Sequence, residues 1–196
     1  MKQHTHEIYA FGKRCLRRRV GLALLALGLA ALAPFALSVS VQAAPDGSIA
    51  VLPFEINDTS GEVGQTRRHE MMLATITRLV GEKIAQKGIY HVVPQETVDT
   101  AVAEVDSGTY LRSCNGCEFD VAKRAGADHV LIGWFYKVST LIGTLHIVVK
   151  DVATGKTVYA HVFDFRGDNE KAWSRAVTYM IGSLAKKTVI EKQETN

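Results

Sequence analysis

The chain has 196 residues, 47% of them hydrophobic, with 23 Lys and Arg against 20 Asp and Glu, a formal charge of +3. Its first 43 residues hold six of those bases and one of the acids, which leaves 17 against 19 and a charge of −2 for the rest. The basic balance therefore belongs to the N-terminus. No compact basic segment interleaved with aromatics remains beyond it, so nucleic acid is not an expected partner.

Lys13, Arg14, Arg17, Arg18 and Arg19 form a basic block, followed by an apolar run from Val20 to Leu37 and a small-residue stretch ending at Ala44. This is the pattern of a secretory signal peptide over residues 1–43. Cleavage is expected after Ala43, because Val41 and Ala43 fill the small-residue positions and Pro45 disfavours a cut one residue later. The run is near the lower limit for a spanning helix and Pro34 interrupts it, which favours a cleaved leader over an anchor. Cys15 precedes the apolar core, so no lipoprotein anchor is indicated. The rest, residues 44–196, is expected to be a single α/β domain in the periplasm with no membrane insertion after cleavage.

Ser48–Ile56 reads as a short, nearly all-apolar strand that Pro53 should end or bulge. Asn57–Gly61 reads as a polar turn or loop. From Gln65 to Lys87 the spacing becomes helical, with Met72, Ile76, Leu79, Val80 and Ile84 on one stripe and Gly88 placed to end it. Ile89–Val93 is a second short strand stopped by Pro94. Val98, Ala101, Val102 and Val105 mark a short amphipathic helix. An irregular loop from Asp106 to Asn115 leads into a helix through Phe119, Ala122 and Ala125, ended by Gly126.

His129–Tyr136, Thr144–Asp151 and Thr157–Phe165 are three consecutive strands rich in β-branched and aromatic residues. The last two form a hairpin around Thr154-Gly155. An even loop, with Gly155 at positive φ, would place Leu145, Ile147 and Val149 on one face with Val158, Ala160 and Val162. His146 and His161 would then share the other face. Asp168 is placed to cap a last helix whose stripe is Trp173, Ala176, Val177, Met180, Ile181 and Leu184. The order β-α-β-α-α-β-β-β-α implies a mixed sheet of about five strands with helices packed on it.

Ile49-Ala-Val-Leu-Pro-Phe54, Tyr90-His-Val-Val93, Ala125-Gly-Ala-Asp-His-Val-Leu-Ile-Gly133 and Val149-Lys-Asp-Val-Ala-Thr-Gly-Lys156 occur in this order. In that arrangement the chain resembles the N-terminal domain of the TolB translocation protein and the periplasmic part of the curli secretion lipoprotein. It is most similar to a family of small exported bacterial proteins known only as a domain of unknown function. The resemblance covers most of residues 48–185 and rests on strand cores and turn glycines. It implies an α/β domain used for protein–protein contact in the periplasm, and it carries over no catalytic residue.

Cys114-Asn-Gly-Cys117 is the most specific chemical feature. Two cysteines at this spacing, at or just before a helix N-terminus, match the geometry that supports disulfide exchange. In an oxidising compartment an even pair is first a closed structural disulfide, and that is the expectation here. Glu118 follows the second cysteine where haem attachment requires His, so covalent haem is excluded. His146 and His161 are weak candidate metal ligands if they face each other, because no third ligand is fixed by sequence and Tyr159, Phe163 and Val148 on that face favour an aromatic sheet face packed under a helix. Thr154-Gly-Lys-Thr157 lacks the first glycine of a phosphate-binding loop and precedes a strand. No nucleophile elbow or His-Glu-x-x-His motif is present. The expected function is a non-catalytic periplasmic accessory or adaptor protein that binds an envelope or periplasmic protein and needs no cofactor. The alternative is a small thiol-redox or metal-handling protein built on Cys114 and Cys117.

Overall fold

The computed structural model describes residues 47–105 and 110–194, which belong to one compact unit. The leader expected over 1–43 and residues 106–109 of the polar loop fall outside the described residues. The first apolar stretch forms β1 (Ser48–Val51), breaks at Leu52-Pro53-Phe54, and resumes as β2 (Glu55–Asp58). Proline has no amide to donate, so the interruption falls where the sequence places it. The strand then continues into the stretch read as a polar turn, which gives a six-stranded sheet.

Helix α1 (Thr66–Lys87) ends at Gly88 in the left-handed conformation, whose N–H returns to the Ala85 carbonyl. Then follow β3 (His91–Val92), α2 (Gln95–Glu104), α3 (Cys117–Arg124), β4 (His129–Lys137), β5 (Gly143–Asp151), β6 (Thr157–Phe165) and α4 (Glu170–Glu194). The sheet order is β3-β1-β4-β5-β6, with β2 continuing β1 alongside β4. β1 pairs in parallel with β3 and β4, and β2 in parallel with β4, while β4, β5 and β6 form an antiparallel meander.

Alternate residues along the strands feed two separate cores. On one face Ile49, Leu131, Phe135, Leu145 and Ile147 pack under α1 and α4, with Trp173 stacked on Phe135 at 4.0 Å between ring centroids. On the other, Ala50, Leu52, Val130 and Ile132 pack under α2 and α3 through Val98, Ala101, Val121 and Ala122. The result is a three-layer α/β/α arrangement. Gly133 is required in the first core, because a Cβ there would lie 2.1 Å from Cζ of Phe54. Phe54 is held over it by a hydrogen bond from its own N–H to Thr77 Oγ1 at 2.9 Å.

The hairpin loop itself is even. Asp151 N–H donates to the Lys156 carbonyl, and Gly155 has φ +69°. The expected face assignment is nevertheless corrected by a β-bulge. Lys150 pairs with Thr157 but Val149 pairs with Tyr159, so one extra residue enters β6 at Val158. A one-residue slip turns every later side chain over. Tyr159, His161 and Phe163 therefore join Val149, Ile147 and Leu145 on the α4 side, and Ala160 and Val162 point outward into solvent. Asp168 does not cap α4 either. Asn169 does, its Oδ1 accepting the Ala172 N–H at 3.0 Å.

Candidate functional site

Cys117 is the first residue of α3, and Gly116, at φ +104°, turns the chain sharply before it. Cys114 and Cys117 lie at disulfide distance and are joined, with Cα atoms 5.8 Å apart. The neighbouring Glu118, which the sequence marked only as excluding haem attachment, is buried. Its Oε2 accepts the Gly116 N–H at 3.1 Å and lies 3.5 Å from Cys114 Sγ, and its Oε1 accepts from Lys150 Nζ at 2.8 Å. Sγ of both cysteines and a Glu118 oxygen fall within 4.8 Å of one another. In the oxidised form both sulfurs are engaged with each other and Lys150 already balances the carboxylate, so the set has no free donor pair.

His146 and His161 are not brought together. Because of the bulge, His161 pairs with Ile147 on the α4 face, where its ring lies 4.4 Å from that of Phe163. His146 points to the opposite face, stacked on Trp134 at 4.7 Å and 2.9 Å from Thr144 Oγ1. Burial holds its imidazole below the ordinary histidine value. Ligands on opposite faces of one sheet cannot meet at one ion.

A buried ionic cluster is the largest feature the sequence reading missed. Lys137, at the end of β4, reaches Asp58 at 3.1 Å, Asp168 at 3.2 Å, and Glu62. Arg68, in the first turn of α1, pairs with Asp168 and donates to its carbonyl at 2.8 Å. His69 Nε2 lies 3.1 Å from Asp168, and its ring stacks on Trp173. Burial pushes the Asp168 carboxyl upward, but hydrogen bonds from His69, Arg68 and Lys137 hold it below the ordinary range. For Asp58, burial is likewise outweighed by hydrogen bonds from Ser60 and Lys137. Burial also opposes the charge on Lys137, yet Glu62, Asp58 and Asp168 together raise its value. The cluster ties β2, β4, the start of α1 and the start of α4 at one end of the sheet. Each carboxylate is already held by a cation, which suits a latch rather than acid–base work.

Beside the latch, a cleft of about 670 Å³ opens between β2 and α1 over Phe54 and Leu73. Of its four carboxylates, Glu55 is held by Arg112, and Asp58 and Glu62 by Lys137, which leaves Glu70 without an ion pair among the described residues.

A second depression, of about 470 Å³, runs along the outer edge of the sheet between β6 and α4. β6 supplies one wall from His161 to Phe165, and Ala172, Arg175, Ala176 and Tyr179 supply the other. Those four positions fall at i, i+3, i+4 and i+7, one stripe of a helix. No strand pairs with the free side of β6 among the described residues. Phe163, Ala172 and Ala176 are buried beneath the depression, whereas Val162 and Tyr179 stand 52% and 71% exposed. Nothing local in the sequence marks this edge, because strand order is a property of the whole chain.

The chain belongs to the DUF3280 family, described as a protein of unknown function (DUF2380), whose model matches residues 47–184. No curated protein matches it. Among solved structures it is similar to Escherichia coli LpoB, at 18% identity over 60% of this chain and 55% of that one, with a TM-score of 0.46. It therefore spans about half of that protein's length. It is also similar to lipoprotein GNA1162 of Neisseria meningitidis (17% identity, 70% and 96% coverage, TM-score 0.44). TolB of Acinetobacter baumannii is a further similar structure (12% identity, 71% and 28% coverage, TM-score 0.40). No helix among the described residues is long and apolar enough to cross a membrane.

Proposed function

We propose that this family member is a non-catalytic accessory protein, exported to the periplasm, that holds an envelope or periplasmic protein partner. In this reading residues 1–43 are a leader removed after Ala43, and 44–196 are the working domain. The observation that carries it is the open edge of the sheet. β6 is nine residues long and ends the sheet without a further strand among the described residues. An unpaired edge presents a row of amides and carbonyls that a partner can extend. The Cys114–Cys117 disulfide suits an oxidising compartment and stiffens the turn into α3. No cofactor enters this reading.

The test is crosslinking in cells of the C-terminally tagged chain, followed by mass spectrometry of what is captured from the periplasm. One stoichiometric envelope partner, captured equally by the Cys114→Ser/Cys117→Ser variant, is expected. Capture of many cysteine-linked proteins, lost in that variant, would overturn the adaptor reading in favour of thiol exchange.

A further inference from the structure

We propose that the groove between β6 and α4 is a strand-addition site for an extended, acidic segment of a partner protein. The proposal rests on the adaptor reading and names the chemistry of what is held.

Three observations converge on the groove. The first is the ladder. Lys187 Nζ donates to the Val158 carbonyl at 2.5 Å, which closes the edge at its start and leaves Ala160–Phe165 open. β6 contains no proline and no lysine beyond Thr157 to blunt that stretch. At about 3.3 Å per residue, the open length accepts a segment of about six residues.

The second is the helical wall. A segment paired to β6 directs alternate side chains to one face, and here that face meets Ala176 and Tyr179. The Tyr179 ring is held edge-on to Phe163, with centroids 5.4 Å apart, yet it remains 71% exposed. An apolar side chain at every second position would cover it.

The third is charge. Arg166 and Arg175 line the groove, are exposed, and make no ion pair among the described residues, and Asp164 is the one carboxylate among the groove's lining residues. The groove carries a surplus of positive charge, which favours glutamate or aspartate in the incoming strand. A second copy of this chain would bring the same positive surplus against it, which is unfavourable.

The test uses the full chain and a fluorescein-labelled peptide of about seven residues alternating glutamate with valine and phenylalanine. Its lysine-for-glutamate counterpart and a version with alternate amides N-methylated are the comparison probes. Fluorescence anisotropy is expected to show the acidic peptide binding at least about tenfold tighter than the lysine peptide, with affinity falling as salt rises. N-methylation should abolish binding, because it removes the ladder donors. The exposed double variant Arg166→Glu/Arg175→Glu should transfer the preference to the lysine peptide.

Equal binding of the acidic and lysine peptides, no binding of either, or an unchanged preference in the double variant would overturn the assignment. So would sedimentation showing a dimer that Val162→Lys dissociates, since a second copy would then occupy the edge. Undiminished capture of the envelope partner by Arg166→Glu/Arg175→Glu would remove this groove and leave the adaptor reading standing. Tight acidic-peptide binding without any captured partner would support the groove and remove the adaptor reading.

Discussion

Replacing Lys137 by Met removes one charge from the ionic cluster while keeping an unbranched apolar stem of similar length. The Lys137 side chain is 4% exposed and faces Asp168 at 5%, Asp58 at 20% and Glu62 at 33%. Without it, three carboxylates face Arg68 and His69. Breaking a buried ion pair by deleting one partner costs about 3–5 kcal/mol. Asp168 keeps Arg68, and Asp58 and Glu62 retain some contact with water, which places Lys137→Met near the lower end, about 3 kcal/mol. For a domain of this size that corresponds to a fall in Tm of about 6–12 °C.

The pH dependence gives a second reading of the same variant. In the parent chain the lowered Asp58 and Asp168 values contribute stability above about pH 3.9, lost as pH falls through their folded values. The raised Lys137 value contributes below about pH 10.4, lost as pH rises through its folded value. Between those limits the contribution of Asp58, Asp168 and Lys137 is flat. In Lys137→Met the carboxylates lose the cation that offset their burial and take up protons more readily, so the deficit should narrow from pH 7.5 to 4.5. Urea denaturation at both pH values, with the slope unchanged, measures this. A loss below about 1 kcal/mol, or a deficit of the same size at both pH values, would refute the reading of a coupled buried network.

Gly133→Ala should destabilise the fold by about 1–3 kcal/mol through overpacking against Phe54, and adding Phe54→Leu should recover part of the loss in the same denaturation assay. Cys114→Ser/Cys117→Ser should cost about 2 kcal/mol, the loop-closure value for so short a ring, as read by thermal unfolding. A far larger loss would mean that the pair organises more than its own turn. His146 should titrate by NMR below the ordinary histidine value of about 6.5. Because its folded value is lowered, the stability it contributes is present above about pH 6.5 and is lost as pH falls below that toward the folded value. His146→Gln should flatten that slope, and a midpoint at or above the ordinary value would contradict the burial argument.

What the sequence determined is what depends on neighbouring residues. The 3.6-residue spacing of Met72, Ile76, Val80 and Ile84 and the alternation through Thr144–Asp151 set helix and strand by themselves. Pro53 broke the first strand and Gly88 stopped α1, because one lacks an amide and the other lacks a Cβ. The three-residue separation of Cys114 and Cys117 allows few geometries, and the fold brings the two to disulfide distance.

The tertiary structure decided everything that required distant segments to be placed side by side. A single bulge at Val158 turned β6 over and separated His146 from His161, although the loop had the expected length. Packing favoured it, since Tyr159 and Phe163 bury under α4 where Ala160 and Val162 would leave space. Asp58 and Lys137 are 79 residues apart, Arg68 and Asp168 are 100 apart, and no local pattern announces that four elements bring them to one end of the sheet. The groove beside β6 has the same origin. An edge strand and a central strand are written in the same residues, and only the strand order shows which one is left open to a partner.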